Sequence, residues 1–401
     1  MGRQSPSRGV QAVVEWLIAG ARTAHQQQDV LTQLCERLLA LGLPLHRVAV
    51  FVTTLHPNVM GRRFLWRRGE GVLVTEAAYD MVETDTYRRS PVPVVFERAE
   101  AIRRRIEDPE SPTDYKILHE MRAEGVTDYL IQPLPFINGE VHAVSWTTRQ
   151  PGGFTAEQIG ALEAIRSPLA RLAEVYALRR VATTLLGTYV GRGSGERILQ
   201  GRIRRGDIER IHAVILLSDL RDFTALSDRL PGEAVIGLLN SYFDCMVPAI
   251  EAQGGEVLKF VGDGLLGICP VAADPAAACR GALAAADQAR AALKDANAER
   301  SARAEPELRF GLALHLGEVL YGNIGSAGRL DFTTIGPAVN LTARLENLAR
   351  DLGRDLVASA AFARHCPEAL RSLGTFRLRG FQAPEEVFAP TSDPQRPSLP
   401  P

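Results

Sequence analysis

The stretch Glu256–Gly267, EVLKFVGDGLLG, decides how the second half of this chain is read. Two short apolar runs, VLKFV and LLG, flank a Gly-Asp-Gly corner of the kind at which a β-hairpin reverses. Asp263 stands at the corner and Lys259 interrupts the first run. Taken alone, Asp263 reads as an ordinary turn residue, because an aspartate in a turn bonds its local backbone. Its surroundings change that reading.

Upstream, IHAVILLSDLRDFT has the pattern of a buried strand that ends in a polar turn, with Asp219 closing the strand, and GEAVIGLLNSYFDCMVPAI follows as a helix. Downstream come a second helix, PAAACRGALAAADQARAAL, a strand pair, LRFGLALHLGEVLYGNIG, and a further strand, FTTIG, leading into the helix PAVNLTARLENLARDL. Strand, helix, hairpin, helix, strand is the order of a ferredoxin-like α+β sandwich with its helices on one sheet face. Asp219 and Asp263 both fall at strand ends. Two carboxylates on neighbouring strands make the sparse oxygen set that Mg²⁺ prefers, the rest of its shell being water and substrate phosphate. The LRDFT turn after Asp219 offers backbone N–H groups to a phosphate. Asn340 and Arg344, four residues apart, share one helix face, where an amide and a guanidinium suit orientation of a hydroxyl and stabilisation of a charged phosphorus centre.

The first half reads differently. Residues 10–42 have helical spacing, RVAVFVTTL, RRFLWRR, TDYLIQPLPF and EVHAVSWTT read as strands, and a charged helical segment lies around residues 102–124. Thr155 and Gln158 form a capping-box pattern that opens a helix, and Ser167-Pro168 looks like a second helix start. An apolar stripe through Leu169, Leu172, Tyr176 and Leu178 can pack on the first domain or pair two copies. GTYVGRGSGERILQG reads as a glycine-rich joint. The expected organisation is a regulatory domain over 1–180, a linker over 181–205, a second domain over 206–390 and a proline-rich, disordered tail over 391–401.

Of the 401 residues 46% are hydrophobic and 23% charged, which fits two globular domains, and the net charge of −1 gives no reason to expect nucleic acid or an anionic membrane as partner. The cluster Arg202, Arg204, Arg205 and Arg210 reads as a solvated face. No apolar run approaches the ~18 residues of a membrane span, and MGRQSPSRG lacks the apolar core of a signal peptide. A cytoplasmic location is the expectation. The five cysteines form no CxxC pair and read as buried thiols. His142, Trp66 and Trp146 read as core residues rather than ligand contacts.

SDLRDFTALSD, EVLKFVGDGLLG, LALHLGEVLYGNIG and FTTIGPAVNLTARLE occur in the order and rough separation of the class III nucleotidyl cyclase catalytic domain. Over residues 185–390 the chain resembles an adenylate cyclase of that family. The resemblance implies two Mg²⁺ or Mn²⁺ ions held by Asp219 and Asp263, and attack of the ribose 3′-hydroxyl of ATP on its α-phosphorus with loss of pyrophosphate. It further implies that Asn340 holds the ribose and Arg344 the pentavalent phosphate, that Phe223 and Thr224 face the phosphates, and that Lys259 and Thr333 select the base. A Lys donor with a hydroxyl acceptor suits adenine, whose N1 accepts and whose N6 donates; guanine reverses the pattern.

Three positions depart from the family pattern. Arg379 stands where relatives carry a Lys for the terminal phosphates, Thr333 stands where many carry Asp, as in the branch often responsive to bicarbonate, and Asp222 replaces a common Gly. In this family the active site forms between two catalytic domains, so one complete set per chain implies a two-fold homodimer through the catalytic domain and linker helix. The first domain more faintly resembles a GAF-type sensor, with a regulatory ligand that the sequence leaves unknown. A guanylate cyclase and a catalytically idle nucleotide-binding module are the rival readings. GGEVL at 254–258 is similar to the opening of the diguanylate cyclase signature but lacks its closing Glu-Phe.

Overall fold

The helical spacing of residues 10–42 produces two helices, α1 (Arg8–Ile18) and α2 (Gln27–Ala40), rather than one. Gly20 and Ala21 both turn left-handed, at φ 84° and 48°, which ends α1. The computed structural model describes residues 7–24 and 26–393, and the chain divides between Thr184 and Leu185 into two compact units. Most of the proline-rich tail, residues 394–401, lies outside the described residues.

In the first unit β1 (Leu45–Thr53), β2 (Gly61–Arg67) and β3 (Gly71–Ala77) form a meander. A 3₁₀ turn, α3 (Asp85–Arg88), α4 (Pro91–Arg98) and β4 (Ile102–Arg104) follow. Then come α5 (Lys116–Ala123), β5 (Asp128–Pro135), β6 (Val141–Thr148) and α6 (Ala156–Val190). The sheet is antiparallel in the order β3-β2-β1-β6-β5-β4. One face packs on α1, α2 and α6 through a large apolar core that includes Leu34, Trp66, Trp146 and Ile165. A smaller core under α4 and α5 lies on the other face. His142 is fully buried and accepts a hydrogen bond from the Thr53 N–H (3.1 Å), in keeping with a core role. The expected second helix start at Pro168 is corrected: α6 runs straight through it. Its only start is at Thr155, whose N–H bonds Gln158 Oε1 (3.0 Å) while Gln158 N–H bonds Thr155 Oγ1 (3.2 Å). One lost backbone bond at Pro168 is offset by the buried face of Leu162, Ile165, Leu169 and Leu172.

In the second unit α7 (Arg192–Leu199) precedes β7 (Ile208–Leu220), the short α8 (Phe223–Ser227) and α9 (Gly232–Ala252). The hairpin β8 (Glu256–Val261) and β9 (Gly264–Pro270), the helix α10 (Pro275–Ala302) and β10 (Phe310–Gly325) come next. The expected strand pair at 308–325 is thus corrected to one 16-residue strand, which bonds β7 along thirteen residues and keeps going to receive β11 (Leu330–Ile335). α11 (Pro337–Asp351), β12 (Leu356–Ser359), α12 (Ala360–Ala363), β13 (Leu370–Phe376) and β14 (Glu385–Pro390) complete the unit. The central order β10-β7-β9-β8 is the fourth-first-third-second arrangement of the ferredoxin-like sandwich. α9 and α10 pack on the face carrying Val214, Leu216, Leu265 and Leu314. α11 covers part of the opposite face, against Ala313 and Val357, so the helices are not confined to one side.

The glycine-rich joint is also corrected. It folds as helix up to Val190, turns at Gly191 (φ 92°) and resumes as α7. Two of its glycines serve close approach: a Cβ on Gly191 or Gly193 would come within 2.9 or 2.7 Å of the Glu256 carboxylate. That carboxylate accepts from Ser194 N–H and Ser194 Oγ (both 2.8 Å) and from the Tyr321 hydroxyl (2.8 Å), tying α7, β8 and β10 together. Arg197 and Arg202 pair with Glu209, and Arg210 with Glu318, on exposed surface.

Candidate active site

The Gly-Asp-Gly corner is a two-residue reversal closed by the Val261–Gly264 pair. Gly262 supplies the positive φ (63°) that the first position of a type II′ turn demands. Gly264 is required for a different reason, since a Cβ there would lie 2.5 Å from the Ser218 carbonyl of β7. This close passage sets Gly264 directly opposite Asp219, and so brings Asp263 beside Asp219. The corner that decides the fold also assembles the carboxylate pair.

Asp219 points to the face shared by Ala213, Ile215 and Leu217, where α11 supplies its counter-ion: Arg350 donates to its carboxylate. Arg350 also lies 3.4 Å from Glu346, and Glu346 is bonded at 2.9 Å to the buried guanidinium of Arg221. Arg221 crosses β10 at Gly311, where a Cβ would fall 1.9 Å from its nitrogen, and caps the Arg354 carbonyl at 3.0 Å. The carboxyl of Asp263 is pushed up to about 6, first by burial and then by hydrogen bonding to and repulsion from Asp219. Two carboxylates held together with one borrowed guanidinium are a poor end state and a good cation site. Two carboxylates are the protein share of a shell that an ion such as Mg²⁺ would complete with water and substrate oxygens.

The remaining site residues fall into separate groups. Lys259 bonds Asp331 at 2.9 Å, and Thr333, two residues further along β11, is buried with an Oγ1 that has no hydrogen-bond partner among the described residues. An unsatisfied buried hydroxyl beside a held ammonium is a polar edge lacking its complement. Asn340 and Arg344 lie on the exposed side of α11, opposite the Thr342, Leu345 and Ala349 side that packs on the sheet. Neither side chain has a hydrogen-bond partner among the described residues. A single chain therefore does not turn them toward its own sheet.

Phe223 and Thr224 open α8, whose first N–H groups have no intrahelical acceptor. Asp222 precedes them with a left-handed backbone (φ 61°), the conformation glycine adopts most readily, and its carboxylate reaches Arg309 at 3.4 Å on exposed surface. Arg379 is exposed in the turn after β13 with no partner among the described residues, and nothing links it to the carboxylate pair. Asp331, Arg350, and the Arg221–Glu346 pair were not anticipated. Asp331 had a signal, since it shares the alternation of Thr333. The spacing Glu346–Arg350 gave one too, being four residues on a helix. Arg221 reads as surface in sequence and is buried only because Gly311 admits it.

Paired aspartates at the end of the first strand and just before the third of a ferredoxin-like sheet make an arrangement suited to holding a metal ion beside a phosphate. Residues 208–366 match the family model for the adenylate and guanylate cyclase catalytic domain. Adenylate cyclase 1 of Rhizobium meliloti is 31% identical over 185 residues, which is 45% of this chain and 27% of that protein. Adenylate cyclase of Anabaena cylindrica is 33% identical over 161 residues, 39% of this chain and 31% of that one. The solved adenylyl cyclase CyaB from P. aeruginosa shares 26% identity with a TM-score of 0.43, covering 47% of this chain and 97% of its own. The chain spans less than a third of the length of the two curated relatives. It carries a class III adenylate/guanylate cyclase catalytic domain. No helix among the described residues is long and apolar enough to cross a membrane.

Proposed function

We propose that this chain is an adenylate cyclase that converts ATP to 3′,5′-cyclic AMP and pyrophosphate. The observation that carries the reading is the convergence of Asp219 and Asp263 at adjoining strand ends, with negative charge that the fold leaves only partly relieved. Two bound Mg²⁺ or Mn²⁺ ions would supply ionisation of the ribose 3′-hydroxyl and neutralisation of the triphosphate. Asp219 and Asp263 hold that charge in place. Asn340 orients the ribose and Arg344 takes the charge that develops on the α-phosphorus. The first N–H groups of α8, at Phe223 and Thr224, face the phosphates, and Arg379 takes the terminal ones. Lys259 donates to adenine N1, and Thr333 Oγ1 accepts from N6, which gives the orphaned hydroxyl its partner.

Asn340 and Arg344 point away from their own sheet, so the reading requires a second copy to offer its carboxylates to them. Exposed Phe260 and Val261 beside the hairpin corner, and Ile236 on α9, supply apolar surface for such a two-fold pair. The first unit is read as a GAF-like regulatory domain with a ligand of its own. Purified protein with Mn²⁺ and ATP should release cyclic AMP and pyrophosphate, and an Asp219→Asn variant should release neither. Product from both, or from neither, overturns the reading.

One observation favours a second substrate. Asp331 places an acceptor beside Lys259, and guanine offers N1–H and N2–H donors to an acceptor. Competition between ATP and GTP separates the two: faster turnover of GTP would make Asp331, rather than Thr333, the group that reads the base.

A further inference from the structure

The sheet of the first unit has two unlike faces. The face under α1, α2 and α6 is closed by apolar packing. On the other, α4 and α5 cover β5 and β6 but leave a cavity of about 620 Å³ over β1, β2 and β3, within the range that takes a small organic ligand. Its floor carries three guanidinium groups. Arg47 on β1 stands directly opposite Arg67 on β2, and Arg63 lies four residues before Arg67 on the same face. Like charges directly across an antiparallel pair disfavour the sheet.

The nearby anions do not resolve this. Arg67 reaches Glu124 at 3.4 Å and Arg62 is bonded to Glu76. Arg63 Nε is buried with no hydrogen-bond partner among the described residues. Arg47 is 8% exposed, lines the cavity, and its guanidinium has neither a hydrogen bond nor an ion pair among the described residues. Burial pulls its pKa down, with Arg67 and Arg63 adding to that pull and Glu124 opposing it. A guanidinium stays charged regardless, so a buried one that faces an open cavity without a partner calls for an anion from outside the chain. Apolar surface comes from Phe51 and Leu65 on the floor and Phe96 and Met121 on the helices, while Lys116, Glu120 and Tyr129 also line the cavity.

We propose that this cavity binds a small amphipathic anion, its acidic head gripped by Arg47 and Arg63 and its apolar body lying against Phe51, Leu65 and Phe96. This names the kind of ligand that the regulatory reading leaves open, and rests on that reading only for any effect on cyclase rate.

Binding is tested on the full chain without ATP or metal, so its failure is independent of cyclase activity. The probe is 8-anilino-1-naphthalenesulfonate followed by fluorescence, with neutral N-phenyl-1-naphthylamine as its uncharged counterpart. Saturable binding of one sulfonate per chain is expected, displaced by octanoate if the head is carboxylate-like and by phenyl phosphate if it is phosphate-like. Arg47→Met should weaken the sulfonate about tenfold or more while leaving the neutral probe unchanged. The same variant should melt no lower than the parent without ligand, because it removes an uncompensated charge. Leu65→Trp, which fills the cavity and keeps the arginines, should abolish binding of both probes. Equal sulfonate affinity in parent and Arg47→Met, equal affinity of parent for both probes, or a lower melting temperature in Arg47→Met overturns the proposal. Should Arg47→Met fail to fold, that failure itself counts against it, since a structural cation is then the better account.

Discussion

The carboxylate site of the second unit and the open sheet face of the first treat charge in opposite ways. Around the carboxylate pair of the second unit the chain supplies partners from within: Arg350 for Asp219, Arg221 for Glu346, Asp331 for Lys259. On the sheet of the first unit Arg47 has no such partner among the described residues and lines a cavity. The difference teaches what each region must do on meeting a ligand. Groups in the second unit exchange internal ion pairs for external ones, which keeps the net gain small and the geometry prepared. Groups in the first unit gain a partner they lack.

The largest effect should come from removing the carboxylates themselves. Asp219→Asn or Asp263→Asn should lower cyclase turnover by roughly 10³-fold, since several kcal/mol of charge stabilisation disappear. Next, Arg221→Met leaves buried Glu346 with only the more distant Arg350 as a cation and should destabilise the second unit by about 2–3 kcal/mol in denaturant titration. Adding Glu346→Leu should recover most of that loss; no recovery would show that the pair is not a closed unit. Lys259→Gln should cut kcat/KM for ATP by about 10–100-fold and for GTP far less, so an equal loss on both would break its assignment to the base. Arg350→Ala frees Asp219 and should tighten Mn²⁺ binding, read by electron paramagnetic resonance, by about three- to tenfold. Unchanged Mn²⁺ affinity would mean that Arg350 does not compete with the cation.

The smallest effect is a pH dependence. In the folded metal-free protein Asp263 titrates near 6, above its ordinary 3.8. Between those values the folded chain holds a proton that the unfolded chain has released, so stability falls as pH rises from about 4 to 6. Asp263→Asn lacks this loss and should melt about 2–4 °C higher than the parent above pH 6, with the two curves converging below pH 4. Excess Mn²⁺ should raise the parent and not the variant.

Much of the second unit was legible because its signals are local. A continuous apolar run marks β7, helical spacing marks α9 to α11, and the Gly-Asp-Gly corner specifies both a reversal and a close passage of strands. What escaped depended on distant packing. Nothing in LRFGLALHLGEVLYGNIG tells that Gly317 continues a strand instead of turning it, since that is decided by thirteen residues of pairing with β7. The Arg221–Glu346 pair spans 125 positions and is permitted by a third residue, Gly311. In the first unit β3 and α4 were missed, and the helical segment expected around 102–124 is corrected to the strand β4 followed by the short helix α5. GVLVTEA is short and largely exposed, and PVPVVFER carries two prolines at the start of a helix where their missing N–H groups cost nothing. The five cysteines are all buried and free, as their scatter suggested.

Glu256 has a further consequence. Its two oxygens are saturated by groups from α7 and β10, and three residues beyond it along β8 stands Lys259. A rotation of α7 alone would break the two hydrogen bonds from Ser194 to this carboxylate, so the strand is tied to the helix. A load on Ser194 would thereby be carried to the Lys259 ammonium three residues along the same strand, with a close-packed glycine on either side of that serine.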